Sequence, residues 1–257
     1  MELTHGSLFS GIGGFDRGFE AAGFTTLWQV EIDDYATKVL EKHWPNVRRY
    51  RDITTIDWRT VPVPTILTGG FPCQDISIAG KGAGIAEGTR SGLWTHFHRA
   101  ISILRPRYVV VENVSALLFR GMGRVLGDLS EIGYDAEWEV IPAYSVGAPH
   151  ERMRTFLVAY PQSVGHLRQQ NETHLFRTSL SQPDGCGFTK TWGRATVRGK
   201  SGRVFHCPDG GIPGVAHGIP YWVDGRMKSI GNAVIPQIVE ELAWMIRRRV
   251  EEQYAHP

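Results

Sequence analysis

The stretch "GGFPCQDISIAGKG", Gly69 to Gly82, places a thiol where chemistry is possible. An apolar run ends in two glycines, and Cys73 follows at once between Pro72 and Gln74. A core cysteine normally sits inside an element. One just past a strand end is presented to a ligand. A nucleophilic thiol needs a lowered pKa or a nearby proton acceptor, together with access to substrate. Glu112 and Asn113 close another apolar run, "VVVEN", and Arg152 and Arg154 alternate ahead of "TFLVAY". Neighbouring strand ends lie roughly 5–10 Å apart, so thiol, carboxyl and two guanidiniums can converge. Singly, these are a buried Cys, a capping Glu and surface Arg. Together they favour catalysis.

A second group lies nearer the start. Phe9 to Gly14, "FSGIGG", is a glycine turn that lets a ligand approach backbone N–H groups at a helix N-terminus. Glu31 and Asp52 end the next two expected strands. Either acid serves equally well as a helix cap. Glycine turn, then acid, then acid, at successive strand ends, suits an adenosine-containing cofactor better than any one of them does. The turn is GxGG, not the dinucleotide pattern GxGxxG, and not the phosphate-cradling GxxxxGK[ST].

These residues need a frame in which strand ends meet. Strands are expected over 3–9, 25–31, around 50–53, 65–70, 107–113, 134–143 and 154–160. Helices are expected near 15–22, 35–44 (capped by Asp33 or Asp34), 92–104 and 121–133. Strands alternating with helices imply an α/β fold, a doubly wound, mostly parallel sheet whose ligands bind outside the carboxyl ends of the strands. From 161 to about 225 no sustained period appears, and the segment reads as a small, loop-rich insert. The run from 232 to 254 is a strong helix with Val239, Leu242, Ala243, Ile246 and Val250 on one face. The organisation expected is therefore 1–160, 161–225, and 226–257 returning to the first unit.

Composition narrows the classes. With 257 residues, 42% of them hydrophobic, the chain can form a large core. No apolar run spans a bilayer, and "MELTHGSLFS" lacks a signal peptide's layout, so a soluble cytoplasmic protein, most simply a monomer, is expected. Three widely spaced Cys without a CxxC pair argue against a disulfide framework or a metal site. Net charge is +2 but unevenly spread: between Tyr160 and Lys228 there are nine Lys/Arg and four acids. A basic segment beside an acidic body suits a polyanion as well as it suits a solvated loop.

The chain resembles the DNA (cytosine-5)-methyltransferases. "SLFSGIGGFDRGFEAAGF" is similar to that family's first cofactor motif, "GGFPCQDISIAGKG" to its Pro-Cys-Gln motif and "VVVENV" to its Glu-Asn-Val motif. "HERMRTFLVA" is similar to its Gln-x-Arg-x-Arg motif and "KSIGNAVIPQIVEEL" to its last motif, all in the family's order. The resemblance implies a class I S-adenosylmethionine-dependent methyltransferase sheet with a target-recognition insert, acting on double-stranded DNA as in restriction-modification. It implies that Cys73 attacks carbon 6 of a flipped cytosine, that Glu112 holds the ring, and that Arg152 and Arg154 order the site. Phe9, Gly11, Gly13, Gly14, Glu31, Ile32, Asp52, Ile53, Pro72, Leu93, Asn232 and Val234 would hold S-adenosylmethionine. Gln74, Asn113, Arg194, Arg198, Lys200 and Arg203 would contact the nucleic acid. Three departures stand out: Ser7 replaces the usual Asp, His150 the usual Gln, and no framing motif is recognisable around Gly210–Asp224.

Two rival readings remain at this point. A tRNA cytosine-5-methyltransferase would use the same catalytic residues, and "CGFTKTWG" loosely matches a Cys-Phe-Thr segment of that group. A non-catalytic DNA-binding regulator would keep the fold without turnover, which the intact Cys73, Glu112, Arg152 and Arg154 argue against.

Overall fold

Alternation within single strands explains how both faces of one sheet become covered. In the computed structural model, which describes residues 2–72, 90–148, 150, 152–165, 196–198, 204–206 and 232–255, seven strands form one sheet. They are β1 (Thr4–Leu8), β2 (Thr25–Val30), β3 (Arg48–Tyr50), β4 (Ile66–Gly69), β5 (Tyr108–Val114), β6 (Tyr134–Ile141) and β7 (Arg154–Pro161), in the order β3-β2-β1-β4-β5-β7-β6. Only β7 runs against its neighbours, so the sheet is mostly parallel as expected. On β5, Val109 and Val111 point into one core while Tyr108 and Val110 point into the other. Strands buried on both faces read as continuous apolar runs for this reason.

One core holds α3 (Trp94–Leu104) and α5 (Met122–Glu131), which follows the single-turn helix α4 (Leu117–Arg120). The other holds α1 (Gly14–Ala21) and the last helix, α7 (Pro236–Ala255). Phe15, Phe19 and Ala22 meet Ile238, Val239, Leu242, Ala243 and Ile246 there. The approach is close because Gly18 has no side chain: a Cβ there would stand 2.5 Å from Val239. Arg247 Nη1 also donates to the Ala22 carbonyl at 2.9 Å, and Arg249 pairs with Glu137 at 3.1 Å. The helix α2 (Asp34–His43) starts where Asp33 Oδ1 accepts from the N–H groups of Tyr35 and Ala36. A four-residue helix, α6 (Gln162–Gly165), ends β7. No helix among the described residues is long and apolar enough to cross a membrane.

The structure corrects two expectations. The short strand is Arg48–Tyr50, not 50–53, because the Asp52 carboxylate accepts from Thr54 N–H and starts a 3-10 turn over Ile53–Thr55. In the loop-rich segment, Thr196–Arg198 (β8) and Val204–His206 (β9) form an antiparallel hairpin that three-residue strands do not announce. The rest of 166–231 lies outside the described residues.

His5 shows what the core costs at low pH. It is wholly buried on β1, stacks on Phe19 at 4.7 Å, and its Nε2 lies 2.8 Å from Thr68 Oγ1. Burial pushes it down to about 3. The folded state refuses a proton that the unfolded chain takes near pH 6.5, so stability falls as pH drops through that window. Between pH 7.5 and 5 the His5 share of the loss is about 2 kcal/mol. Denaturant midpoints at the two pH values should separate less in His5→Gln than in the wild type. Equal separations would contradict this.

Candidate active site

Parallel register brings the strand ends to one edge. Leu8 pairs with Val30 and with Gly69, Val30 with Tyr50, and Gly69 with Val111. The residues that follow are therefore neighbours: Phe9, Glu31, Arg51, Gly70 and Glu112. Because β7 runs in reverse, its first residues reach the same edge, with Arg154 opposite Val114 and Thr155 opposite Asn113. The order reverses between β1 and β4, which is where open α/β sheets bind ligands.

On one side of that switch lies the glycine turn. Phe9, Gly11 and Gly13 all have positive φ, of 51°, 56° and 89°. For Phe9 this is an uncommon backbone, of the kind that clusters at ligand sites. A Cβ on Gly11 would meet nothing within 4 Å, so the turn opens onto free space. Glu31 shapes it: Oε2 accepts from Gly11 N–H and Oε1 from Asp33 N–H, each at 2.7 Å. Burial pushes the Glu31 carboxyl up, against these backbone bonds. Ile32 beside it is 66% exposed, an apolar surface suited to a flat ring. Asp52 is half-buried, and its bonds to Thr54 hold its carboxyl below the usual range. Ile53 is buried beneath it, and half-buried Leu93 precedes α3. Val234 closes the far wall, its carbonyl 2.6 Å from where a Gly14 Cβ would be, while Asn232 is exposed. A glycine turn with open space over Gly11, a carboxylate and an exposed apolar side chain fit an adenosyl group.

On the other side lies Glu112. It is buried, and Arg154 Nε stands 3.1 Å from its Oε1. Burial pushes its carboxyl up, while Arg154 and Arg152 pull it down. A Cβ on Gly70 would lie 2.7 Å from Glu112 Oε2, so the second glycine of "GGFPCQ" makes room for the carboxylate. Asn113 Nδ2 donates to the Phe71 carbonyl at 3.0 Å and so ties the strand end to the backbone two residues before Cys73. Phe71 itself is buried against Trp94, and Pro72 is half-buried. Cys73 and Gln74 lie outside the described residues, as do Arg194, Lys200 and Arg203; of Arg198 only its place in β8 is described.

Both arginines act on the Glu112 carboxyl, but their hydrogen bonds differ. Arg154 meets Glu112, whereas Arg152 Nη2 donates to the Ala233 carbonyl at 2.8 Å. The backbone of residue 152 has a φ of 23°. Arg152 thus joins the start of β7 to the segment leading into α7. His150 Nδ1 is buried without a partner among the described residues, and burial together with both arginines lowers its pKa.

Glu31→Ala and Asp52→Ala are both expected to weaken S-adenosylmethionine binding. Glu31→Ala should do so more, since it also frees Gly11 and Asp33. Each lost bond to a charged acceptor is about 1.5–3 kcal/mol, or roughly tenfold or more in affinity. Calorimetry giving unchanged affinity in both variants would contradict the assignment.

Comparisons with known proteins bear on this site. A family model described as C-5 cytosine-specific DNA methylase matches residues 3–191. The Type II methyltransferase M.NgoBI of Neisseria gonorrhoeae is 37% identical over 161 residues, 61% of this chain and 50% of that protein. The Type II methyltransferase M2.BsuMI of Bacillus subtilis is 36% identical over 186 residues, 69% of this chain and 46% of that protein. A crystal structure assigned as a DNA modification methyltransferase encoded within an E. coli prophage superposes with a TM-score of 0.54 at 26% identity. That match covers 63% of this chain and 48% of the other. The chain thus spans about half the length of the curated relatives it matches.

Proposed function

The chain belongs to the C-5 cytosine-specific DNA methylase family, and from that membership we propose that it transfers a methyl group from S-adenosylmethionine to carbon 5 of a cytosine in a specific duplex DNA sequence. The observation that carries this reading is the pairing of a buried, up-shifted Glu112 carboxyl with Arg154 at the sheet edge where the backbone leads into Cys73. Across the same edge stands the glycine turn held by Glu31. When bound, S-adenosylmethionine supplies an electrophilic methyl group and departs as the neutral thioether.

The chain's own residues prepare the acceptor. A stacked cytosine is out of reach, so the base is flipped into the pocket. Cys73 sulfur adds to carbon 6, breaking the 5,6 double bond and placing an electron pair on carbon 5. Glu112, whose carboxyl burial pushes up against the pull of Arg154 and Arg152, gives a proton to ring N3 and accepts from the exocyclic amine, so charge spreads into the ring as the thiol adds. Carbon 5 takes the methyl group and then loses its proton. The returning electron pair expels Cys73 and restores the ring. A thiol suits both steps, since it attacks well and leaves well. Arg154 holds the Glu112 carboxyl, Asn113 ties the strand end to the Phe71 carbonyl, and Gln74 is assigned to the substrate. Arg194, Arg198, Lys200 and Arg203 in 161–225 are assigned to the DNA, with 1–160 and 226–257 carrying cofactor and chemistry. Likeness to Type II methyltransferases supports a restriction-modification setting, in the cytoplasm.

The test uses S-adenosylmethionine labelled in its methyl group, with duplex DNA and with tRNA. Label recovered as 5-methylcytosine from DNA is the expected result. Label in tRNA alone would replace this reading with the RNA one, and label in neither would overturn it.

A further inference from the structure

A chain of buried polar groups runs beneath the glycine turn and takes no part in the reaction described above. Asp16, in the first turn of α1, is wholly buried. Its Oδ2 accepts from Ser7 Oγ on β1 at 3.2 Å, and its Oδ1 from Gln29 Nε2 on β2 at 3.0 Å. Gln29 Oε1 accepts from Arg49 Nη1 on β3 at 3.2 Å, and the same Arg49 nitrogen donates to the Trp44 carbonyl at 2.7 Å. Ser10 is bound into the same corner, its hydroxyl donating to the Ser7 carbonyl at 3.1 Å and its N–H to the Val30 carbonyl at 3.0 Å. One carboxylate therefore fastens the helix after the turn to the strand before it and to the strand that carries Glu31.

We propose that Asp16 is a positioning residue for the cofactor turn, supplying from α1 the carboxylate that would otherwise stand on the strand at Ser7. The inference rests on reading the turn as the S-adenosylmethionine site. Three observations support it. Residues 8–15 are bracketed by Ser7 and Asp16, so their mutual bond fixes both ends of the turn. Gln29 lies two residues before Glu31 on one strand, so the bond to Asp16 also sets the distance between the turn and the acid that grips Gly11. And the next-to-last position of β1 holds Ser7, where the motif resemblance leads one to expect Asp. Ser7 and Gln29 are register partners on β1 and β2, and the Asp16 carboxylate accepts from both. Burial pushes the Asp16 carboxyl up to about 7, against the bonds from Gln29 and Ser7. A group so costly to bury has no packing task that an apolar residue would not perform better.

The experiment moves the carboxylate. Asp16→Ala, and the double variant Ser7→Asp with Asp16→Ala, are compared with the wild type. Affinity for S-adenosylhomocysteine is measured by calorimetry, and thermal midpoints are measured without ligand. Asp16→Ala should weaken binding tenfold or more, and the double variant should return it to within threefold of the wild type. Unchanged affinity in Asp16→Ala would overturn the proposal. A double variant that regains its midpoint but not its affinity would also overturn it, by showing a role in folding alone. If Asp16→Ala does not fold, a folded double variant with near-normal affinity still supports the proposal, and one binding tenfold more weakly overturns it. Failure of both to fold likewise makes the carboxylate a folding requirement and overturns it. A wild type that does not bind S-adenosylhomocysteine brings down the function reading, and this inference with it. Binding by the wild type with none lost in Asp16→Ala brings down this inference alone.

Discussion

Cys73→Ser is expected to lose methyl transfer by at least about three orders of magnitude, the scale on which covalent enzymes suffer when the nucleophile is removed. Cofactor affinity should not change, because the turn proposed to bind it is built from β1, Glu31 and Val234. The case for Cys73 comes from how the chain is delivered to it. β4 ends at Gly69, Gly70 leaves space for Glu112, and Asn113 fixes the Phe71 carbonyl. Pro72, the last described residue before Cys73, follows Phe71 at the edge where Glu112 and Arg154 meet. Serine keeps the shape but is a far weaker nucleophile at neutral pH, and no base is needed to activate a thiolate. Labelled methyl transfer to DNA and cofactor calorimetry decide the matter. Substantial activity in the Ser variant, or an equal loss from Cys186→Ser, would sink the assignment.

The second large effect is expected at Glu112. Replacing it with Gln keeps the side chain's size, so Gly70 and Arg154 still accommodate it, but removes the proton that the carboxyl can give to ring N3. A positioned acid or base contributes typically about 10²–10⁴-fold, and a loss in that range is expected in the single-turnover rate. The pH profile supplies an independent readout. Burial raises the Glu112 pKa, so its protonated form persists above the usual carboxylate range. Wild-type turnover should decline as pH rises through the raised pKa, and Glu112→Gln should lose that limb. A Gln variant with near-normal rate, or one keeping the same limb, would remove Glu112 from the chemistry.

Much of this site was legible because period-2 and period-3.6 patterns place strand ends and helix starts directly. Glu112 and Asn113 terminate an unbroken apolar run, and parallel neighbours must end at the same edge. The reversal of β7 and its insertion between β5 and β6 were not legible, since pairing partners far apart leave no local mark. The bond from Arg152 to the Ala233 carbonyl was not legible either, since it joins residues 81 apart and residue 152 has a φ of 23°. Asp16 does not stand out in the sequence because acids are common in first helical turns, where they suit the dipole. The available signal was its neighbour: Phe15 and Phe19 mark the core side of α1, and Asp16 adjoins that stripe. The hairpin β8–β9 has too few residues for any period to register.

The packing of α7 on α1 has a consequence in time. Gly14 is sheltered by Val234, and Phe15 and Phe19 by a helix that begins at Pro236, roughly 220 residues later in the chain. At about 5–20 residues per second, synthesis leaves the first helix without its cover for about 10–45 s. During that interval the glycine turn lacks a wall and the aromatic stripe of α1 faces water or a chaperone. Contacts of such long sequence separation also form late in refolding, because loop closure precedes their reward. The nascent chain therefore carries α1 uncovered until α7 emerges, and the glycine turn gains its Val234 wall only then.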